Sequence, residues 1–322
     1  MLDRWNSDAF ESSDVANQIQ NDLKKKLLVN PHPISGWRSI PLQNLKTVKI
    51  NEFGLRSKNN QILFNQNLIF GGSYAWGFGA SSNNYIPSYL LNNMFKEKIN
   101  KDTEFINCSE QMYSSYEEML SIVDFYETNP KSCILISGIN DIAREYNHQN
   151  KITELGLRWI NYFRFGQTNG IVQDTSKLKI ILKFIKNLFS NKKDAKYIDY
   201  EYLKIKRDLI ASTLLSNKLK IIENLFNKNQ KKIFYFFQPS IYFKKNKSRY
   251  EQNYIRLIGT DREKFDKEKI DQQIKIVKKF AEESKNNFFF FDLSDIYNDY
   301  HESIFFDKVH VTDKGYKILS EK

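Results

Sequence analysis

Leu68-Ile69-Phe70-Gly71-Gly72-Ser73-Tyr74-Ala75-Trp76-Gly77 is an apolar run that stops on two glycines and a serine. A strand with one wet face would alternate apolar and polar residues. An unbroken run closed by a turn signal suits a strand covered on both faces. The signature recurs outward along the chain. Glu104-Phe105-Ile106 precedes a helical stretch from about Tyr116 to Thr128, and Cys133-Ile134-Leu135-Ile136 runs into Gly138. Lys232-Ile233-Phe234-Tyr235-Phe236-Phe237 runs into Pro239, and Phe288 to Phe291 run into Asp292. A helix-like segment from about Ile86 to Lys98 separates the first two runs. Five such runs with helices between them predict an α/β fold, a three-layer α/β/α sandwich around a mostly parallel five-stranded sheet.

In such sheets the loops at the carboxyl ends of the strands converge, and chemistry collects there. Ser73 follows the first run directly, where a strand-to-helix turn can hold a hydroxyl exposed beside backbone N–H groups. Asn107-Cys108-Ser109-Glu110-Gln111-Met112-Tyr113-Ser114 follows the second, and Gly138-Ile139-Asn140-Asp141 lies at the end of the third. An amide such as that of Asn140 can donate to a developing oxyanion. Near the C-terminus, Asp307-Lys308-Val309-His310 places an aspartate three residues before a histidine. On one turn that carboxylate can orient the imidazole and stabilise its cation. Of the other histidines, His32 and His301 lack such a partner motif, and His148 falls in an insertion. Asp141 reads as a support for the Asn140 loop. Tyr74 and Trp76 either line a substrate pocket or fill core, and Gln238, after the fourth run, is a further substrate-binding candidate.

These motifs resemble the SGNH (GDSL-like) hydrolase family, in the family's own order. Ser73 stands in the nucleophile block, with Gly71-Gly72-Ser73 in place of the usual Gly-Asp-Ser. Alignment on Asn107 and Tyr113-Ser114 puts Met112 where the family has a glycine, and only a backbone N–H is needed there. Gly138-x-Asn140-Asp141 matches the third block and Asp307-x-x-His310 the fifth. The resemblance covers the chain from about residue 67 onward, the insertion excepted. It implies a catalytic triad of Ser73, Asp307 and His310, and an oxyanion hole from the Ser73 and Met112 N–H groups with the Asn140 amide. It further implies an esterase chemistry that uses no cofactor or metal.

Residues 1–60 read as an N-terminal arm before a main domain of 61–322. Asn30-Pro31-His32-Pro33 and Gly36-Trp37-Arg38 indicate turns and extended segments more than helices. With Ile50-Asn51-Glu52-Phe53-Gly54-Leu55-Arg56 and Phe237-Gln238-Pro239-Ser240, these segments resemble SGNH proteins associated with bacterial surface polysaccharides. That implies a serine esterase removing O-acyl, and specifically O-acetyl, groups from a carbohydrate. An O-acyltransferase, a lipase-like or lysophospholipase-like esterase, and a non-catalytic glycan-binding protein are the alternatives. The excess of chain at about 144–200 reads as a lid. Its basic amphipathic stretch from Leu178 to Phe189 makes a membrane-surface helix the less favoured alternative.

Composition bounds the rest. With 322 residues, 41% of them hydrophobic and 15% aromatic, the chain is not a disordered one. The net charge of +11 suits an anionic glycan as well as a nucleic acid or lipid surface. The lysines are spread from Lys24 to Lys322 with no nucleic-acid-binding motif beside them, so no nucleic-acid partner is expected. Cys108 and Cys133 lie in or beside apolar runs without metal-ligand spacing and read as buried thiols. Met-Leu-Asp-Arg-Trp-Asn-Ser-Asp lacks the cationic start and apolar core of a leader. The apolar runs are far shorter than the ~20 residues that span a bilayer, so a cytoplasmic protein is the expectation.

Overall fold

The computed structural model describes residues 4–57, 63–99, 104–142, 215–227, 231–284 and 287–322. Two sheets form. A small antiparallel hairpin pairs β1 (Val29–His32) with β2 (Gly36–Ser39). The main sheet holds β3 (Asn67–Gly71), β4 (Phe105–Asn107), β5 (Ser132–Ser137), β6 (Lys232–Phe237) and β7 (Phe288–Asp292) in the order β4-β3-β5-β6-β7. Every pairing in it is parallel. All five apolar runs of the sequence are therefore strands, within a residue or two at each end.

Parallel neighbours need crossovers, and right-handed crossovers decide which helix covers which face. The path from β3 out to β4 carries α3 (Pro87–Ile99), which follows the single turn α2 (Ser73–Trp76). The path from β4 back past β3 to β5 carries α4 (Ser115–Phe125) on the opposite face. Helical residues 215–227 (α5) precede β6. Helices α6 (Arg249–Ile258) and α7 (Thr260–Glu283) precede β7, and α8 (Asp313–Glu321) closes the chain. Tyr126 just beyond α4 donates from its hydroxyl to Leu225 O at 3.0 Å, which puts α5 beside α4. Both faces being covered, Leu68, Ile69 and Phe70 of β3 are at most 1% exposed. Each contributes roughly 1.5–3 kcal/mol relative to leaving it in water.

The direction of the crossovers reverses at β3. Chain leaves it toward β4 on one side, and β5 lies on the other, so a crevice opens beyond its carboxyl end. Ser73 is placed there.

The proline- and glycine-containing segments of the arm are extended, in β1 and β2, as expected, but a helix precedes them. Ser12 caps α1 (Ser13–Asn21) by accepting the Val15 N–H, and Ala16 and Ile19 form the buried face. The residues before it build a second apolar cluster. Trp5, 3% exposed, packs with Phe10, Phe78 and Phe306. Cys108 and Cys133 are buried free thiols. The lid expected at 144–200, with its Leu178–Phe189 stretch and His148, lies outside the described residues. Among the described residues no helix is long and apolar enough to cross a membrane.

Candidate active site

Ser73 begins α2 immediately past β3, and Gly77 in the left-handed conformation ends that turn (φ +95°). The side chain of Ser73 meets the C-terminal loop: its Oγ lies 2.7 Å from His310 Nε2. On the other edge of the ring, Nδ1 lies 2.8 Å from Asp307 Oδ2. Asp307 Oδ1 accepts the N–H groups of Val309 and His310 at 2.9 and 2.8 Å. A fourth donor comes from the arm, where Arg4 Nη1 stands 2.9 Å from Asp307 Oδ2.

Burial alone would raise the Asp307 carboxyl. The His310 ring with its hydrogen bond, the Arg4 guanidinium and the Val309 N–H outweigh it and hold the carboxyl well below the usual carboxylate range. An ionised Oδ2 only accepts, so the proton between the two groups belongs to Nδ1. Nε2 is then the acceptor facing the Ser73 hydroxyl. Phe78 and Phe306 flank the imidazole, with ring centroids 4.5 and 5.9 Å away.

The other side of Ser73 is formed by three loops. Asn140 donates from Nδ2 to Tyr113 O at 2.7 Å, which uses one of its two amide hydrogens. Room for that amide is made by Gly72, where a Cβ would stand 2.2 Å from Asn140 Nδ2 and 2.8 Å from Tyr113 O. Any side chain at position 72, including the aspartate usual in the resembling family, would displace Asn140 as it sits here. Gly138, two residues before Asn140, has φ +125° and packs its bare face on the Phe237 ring. Asp141 accepts from the Ser115 N–H and Oγ at 3.1 and 2.7 Å, tying this loop to the first residue of α4. Met112 is 42% exposed and takes φ +64°, a conformation that glycine adopts freely and other residues rarely.

The arm hairpin braces this side. Trp37 Nε1 donates to Gln111 O at 2.9 Å, and the Tyr113 hydroxyl donates back to Trp37 O. The Ser39 N–H and hydroxyl both reach Glu110 Oε2 at 2.7 Å. Arg56, 1% exposed, donates to Gly77 O at 2.7 Å and lies over the Trp76 ring. Burial pushes that guanidinium down to about 10, which leaves it charged at neutral pH.

Ser73, Asp307 and His310 thus come together, with Asn140 close by through Gly72. His32 and His301 do not join them. His32 accepts from Ser35 in the hairpin, and His301 is exposed. Tyr74 and Trp76 fill core instead of lining a pocket. They are 1% and 0% exposed, and the Tyr74 hydroxyl is engaged by that of Tyr297. On a one-turn helix only Ser73 faces the crevice, because the turn carries the next three residues into the protein. Gln238 is 3% exposed, and its N–H donates to Ser137 O. A cavity of about 340 Å³ lies by the loop after His310, between Phe10 and Val15 of the arm and Thr312 and Lys317, and none of Ser73, Asp307 and His310 lines it. The sequence reading missed Arg4, since nothing local marks an arginine in a polar N-terminal stretch as a neighbour of residue 307.

No family model matches the chain, and no curated protein matches it. Among solved structures it is similar to the acetyl xylan esterase AlAXEase at 14% identity, over 79% of this chain and 96% of that one, with a TM-score of 0.45. The acetylxylan esterase Axe2 from Geobacillus stearothermophilus overlaps at 14% identity, over 81% and 94%, with a TM-score of 0.45. LAE5, an alpha/beta hydrolase enzyme from the metagenome of Lake Arreo, overlaps at 10% identity, over 81% and 94%, with a TM-score of 0.43. Likenesses this distant say nothing about substrate.

Proposed function

We propose that this protein is a serine esterase of the SGNH type that removes O-acyl groups, specifically O-acetyl groups, from a carbohydrate. The observation that carries the reading is the continuous relay from Asp307 Oδ2 through His310 to Ser73 Oγ, with contacts of 2.8 and 2.7 Å. His310 Nε2 takes the hydroxyl proton as Ser73 Oγ attacks the ester carbonyl. The negative charge that develops on the carbonyl oxygen falls to the Ser73 and Met112 N–H groups and the remaining Asn140 amide hydrogen. The imidazolium then protonates the departing sugar hydroxyl, leaving an acyl-serine. Water, deprotonated by the same ring, attacks the acyl carbon, frees the carboxylate and restores the Ser73 hydroxyl. Asp307 stays ionised throughout and keeps the proton of the resting ring on Nδ1.

The choice of a sugar and of an acetyl group rests on the arm and on Phe237-Gln238-Pro239-Ser240, whose motifs resemble those of polysaccharide-associated SGNH proteins. The net charge of +11 favours an anionic glycan. The test is hydrolysis of p-nitrophenyl acetate against its butyrate and octanoate, with Ser73→Ala in parallel. Turnover of the acetate that disappears in the variant supports the reading. Ser73-dependent turnover of the octanoate alone points to a lipase-like enzyme, and no Ser73-dependent hydrolysis of any ester defeats the hydrolase.

A further inference from the structure

Arg4 and Asp307 stand 303 residues apart in sequence, yet their side chains meet at 2.9 Å. The oxygen they share, Asp307 Oδ2, is the one that accepts from His310 Nδ1. Most exposed ion pairs contribute little, because water competes and two long side chains must be held still. This pair differs at both ends. The Asp307 side chain is only 5% exposed, and the Arg4 side chain is 34% exposed. The guanidinium carbon lies 5.2 Å from the ring centroids of both Trp5 and Phe78. Trp5 is in turn packed on Phe10 and Phe306, and Phe78 on the His310 ring. A second arm contact, from Thr312 Oγ1 to Ala9 O at 2.9 Å, pins the chain just beyond His310.

We propose that Arg4 is a positioning residue of the triad, fixing the Asp307 carboxylate so that Oδ2 faces His310 Nδ1. The inference rests on the esterase reading above for its kinetic consequence, while its structural content stands on the Asp307–His310 contact alone. Two backbone N–H groups hold Oδ1, and without Arg4 only the imidazole, among the described residues, would hold Oδ2. A carboxylate so tethered can rotate about its last bond, and each rotation weakens the contact that sets the ring's tautomer and angle. The guanidinium, planar and itself stacked, supplies the second fixed donor.

The experiment uses the full chain with Arg4→Met, which keeps the length and apolar stem of the side chain, and with Arg4→Lys, which restores a cation. Loss of one charge-assisted hydrogen bond predicts a fall in kcat of about tenfold for Arg4→Met, with KM unchanged, and recovery of most of it in Arg4→Lys. Thermal melting of all three proteins checks that the arm still docks. Independently of turnover, proton NMR of protein labelled with 15N-histidine follows the downfield Nδ1–H resonance that Asp307→Asn abolishes. That resonance is expected to broaden or shift in Arg4→Met and to return in Arg4→Lys. A wild-type resonance in Arg4→Met overturns the proposal, as does a rise in KM at constant kcat, which would make Arg4 a substrate contact. Should Ser73→Ala leave ester hydrolysis intact, the esterase reading falls and the resonance alone decides the role of Arg4.

Discussion

Asp307 and His310 lie three residues apart on one turn, and that turn largely satisfies itself, with Oδ1 taking the Val309 and His310 N–H groups and Oδ2 meeting the ring. The facing half of the site is assembled at a distance. Gly72, Met112 and Asn140 follow three different strands, and the arm hairpin braces the loop that carries Met112, through Trp37 to Gln111 and Ser39 to Glu110. A turn that bonds to itself can be written as a short motif. An assembly of loops is fixed by packing, one residue's missing side chain making room for another's amide. The two halves should therefore respond differently to mutation.

The largest effect is expected where the relay acts as a unit. Under the proposed mechanism, Ser73→Ala and His310→Ala each lower kcat for p-nitrophenyl acetate by at least about 10⁴-fold. The double variant should be scarcely worse than either, because neither group works without the other. Losses that multiply would separate the two residues and break the picture of a relay.

The assembled half should give smaller, coupled losses. Asn140→Ala is expected to lower kcat by about 10²–10³-fold, the usual effect of removing one oxyanion donor. Gly72→Ala should approach that loss, because its Cβ would stand 2.2 Å from Asn140 Nδ2. Added to Asn140→Ala, the same change should do little more, which a double-mutant cycle reads directly. Additive losses would mean that Gly72 serves its own turn and not the amide.

This contrast also accounts for what the sequence made legible. All five strands could be read because a parallel sheet buried on both faces demands unbroken apolar runs, and the order of the loops then followed. Asp307-x-x-His310 could be read because its bonds are local. Arg4 could not, since its partner is at the other end of the chain. Neither could the reason for Gly72, which is a space and not a group. Tyr74 and Trp76 stay ambiguous in the sequence because an aromatic beside Ser73 looks the same whether it faces the crevice or the core, and the length of the turn decides. Helix α1 was hidden by the prolines and glycines that follow it, although Ser12 and the Ala16–Ile19 spacing mark it.

The relay half carries a pH signature opposite in sign to that of the facing half, where burial raises the Glu110 carboxyl. Asp307 is held below its unfolded range by His310, Arg4 and the Val309 N–H, against the cost of burial. A carboxyl depressed on folding stabilises the protein fully above its unfolded pKa of about 3.9, and that contribution fades as pH falls toward the folded value. Urea unfolding should therefore find Asp307→Asn less stable than wild type at neutral pH, with the gap narrowing below about pH 4. A gap unchanged into acid would locate the loss in packing instead of charge.

The smallest effect belongs to Met112. An L-residue in the left-handed region costs roughly 1–2 kcal/mol, and at φ +64° Met112 sits in that region. Glycine removes that strain but gives back about 0.4–1 kcal/mol through its freer unfolded chain. With 42% of Met112 exposed, more than half of it is covered, and losing that burial offsets the remaining gain. Met112→Gly should then leave stability within about 1 kcal/mol of wild type, seen as a urea midpoint that moves little at unchanged slope. Its N–H remains in place, so kcat should stay close to wild type, whereas β-branched Met112→Val should lose both stability and activity. If Met112→Gly instead lowered kcat with the fold intact, the side chain and not the backbone would be the working part. The facing half would then owe its chemistry to packing as fully as it owes its shape.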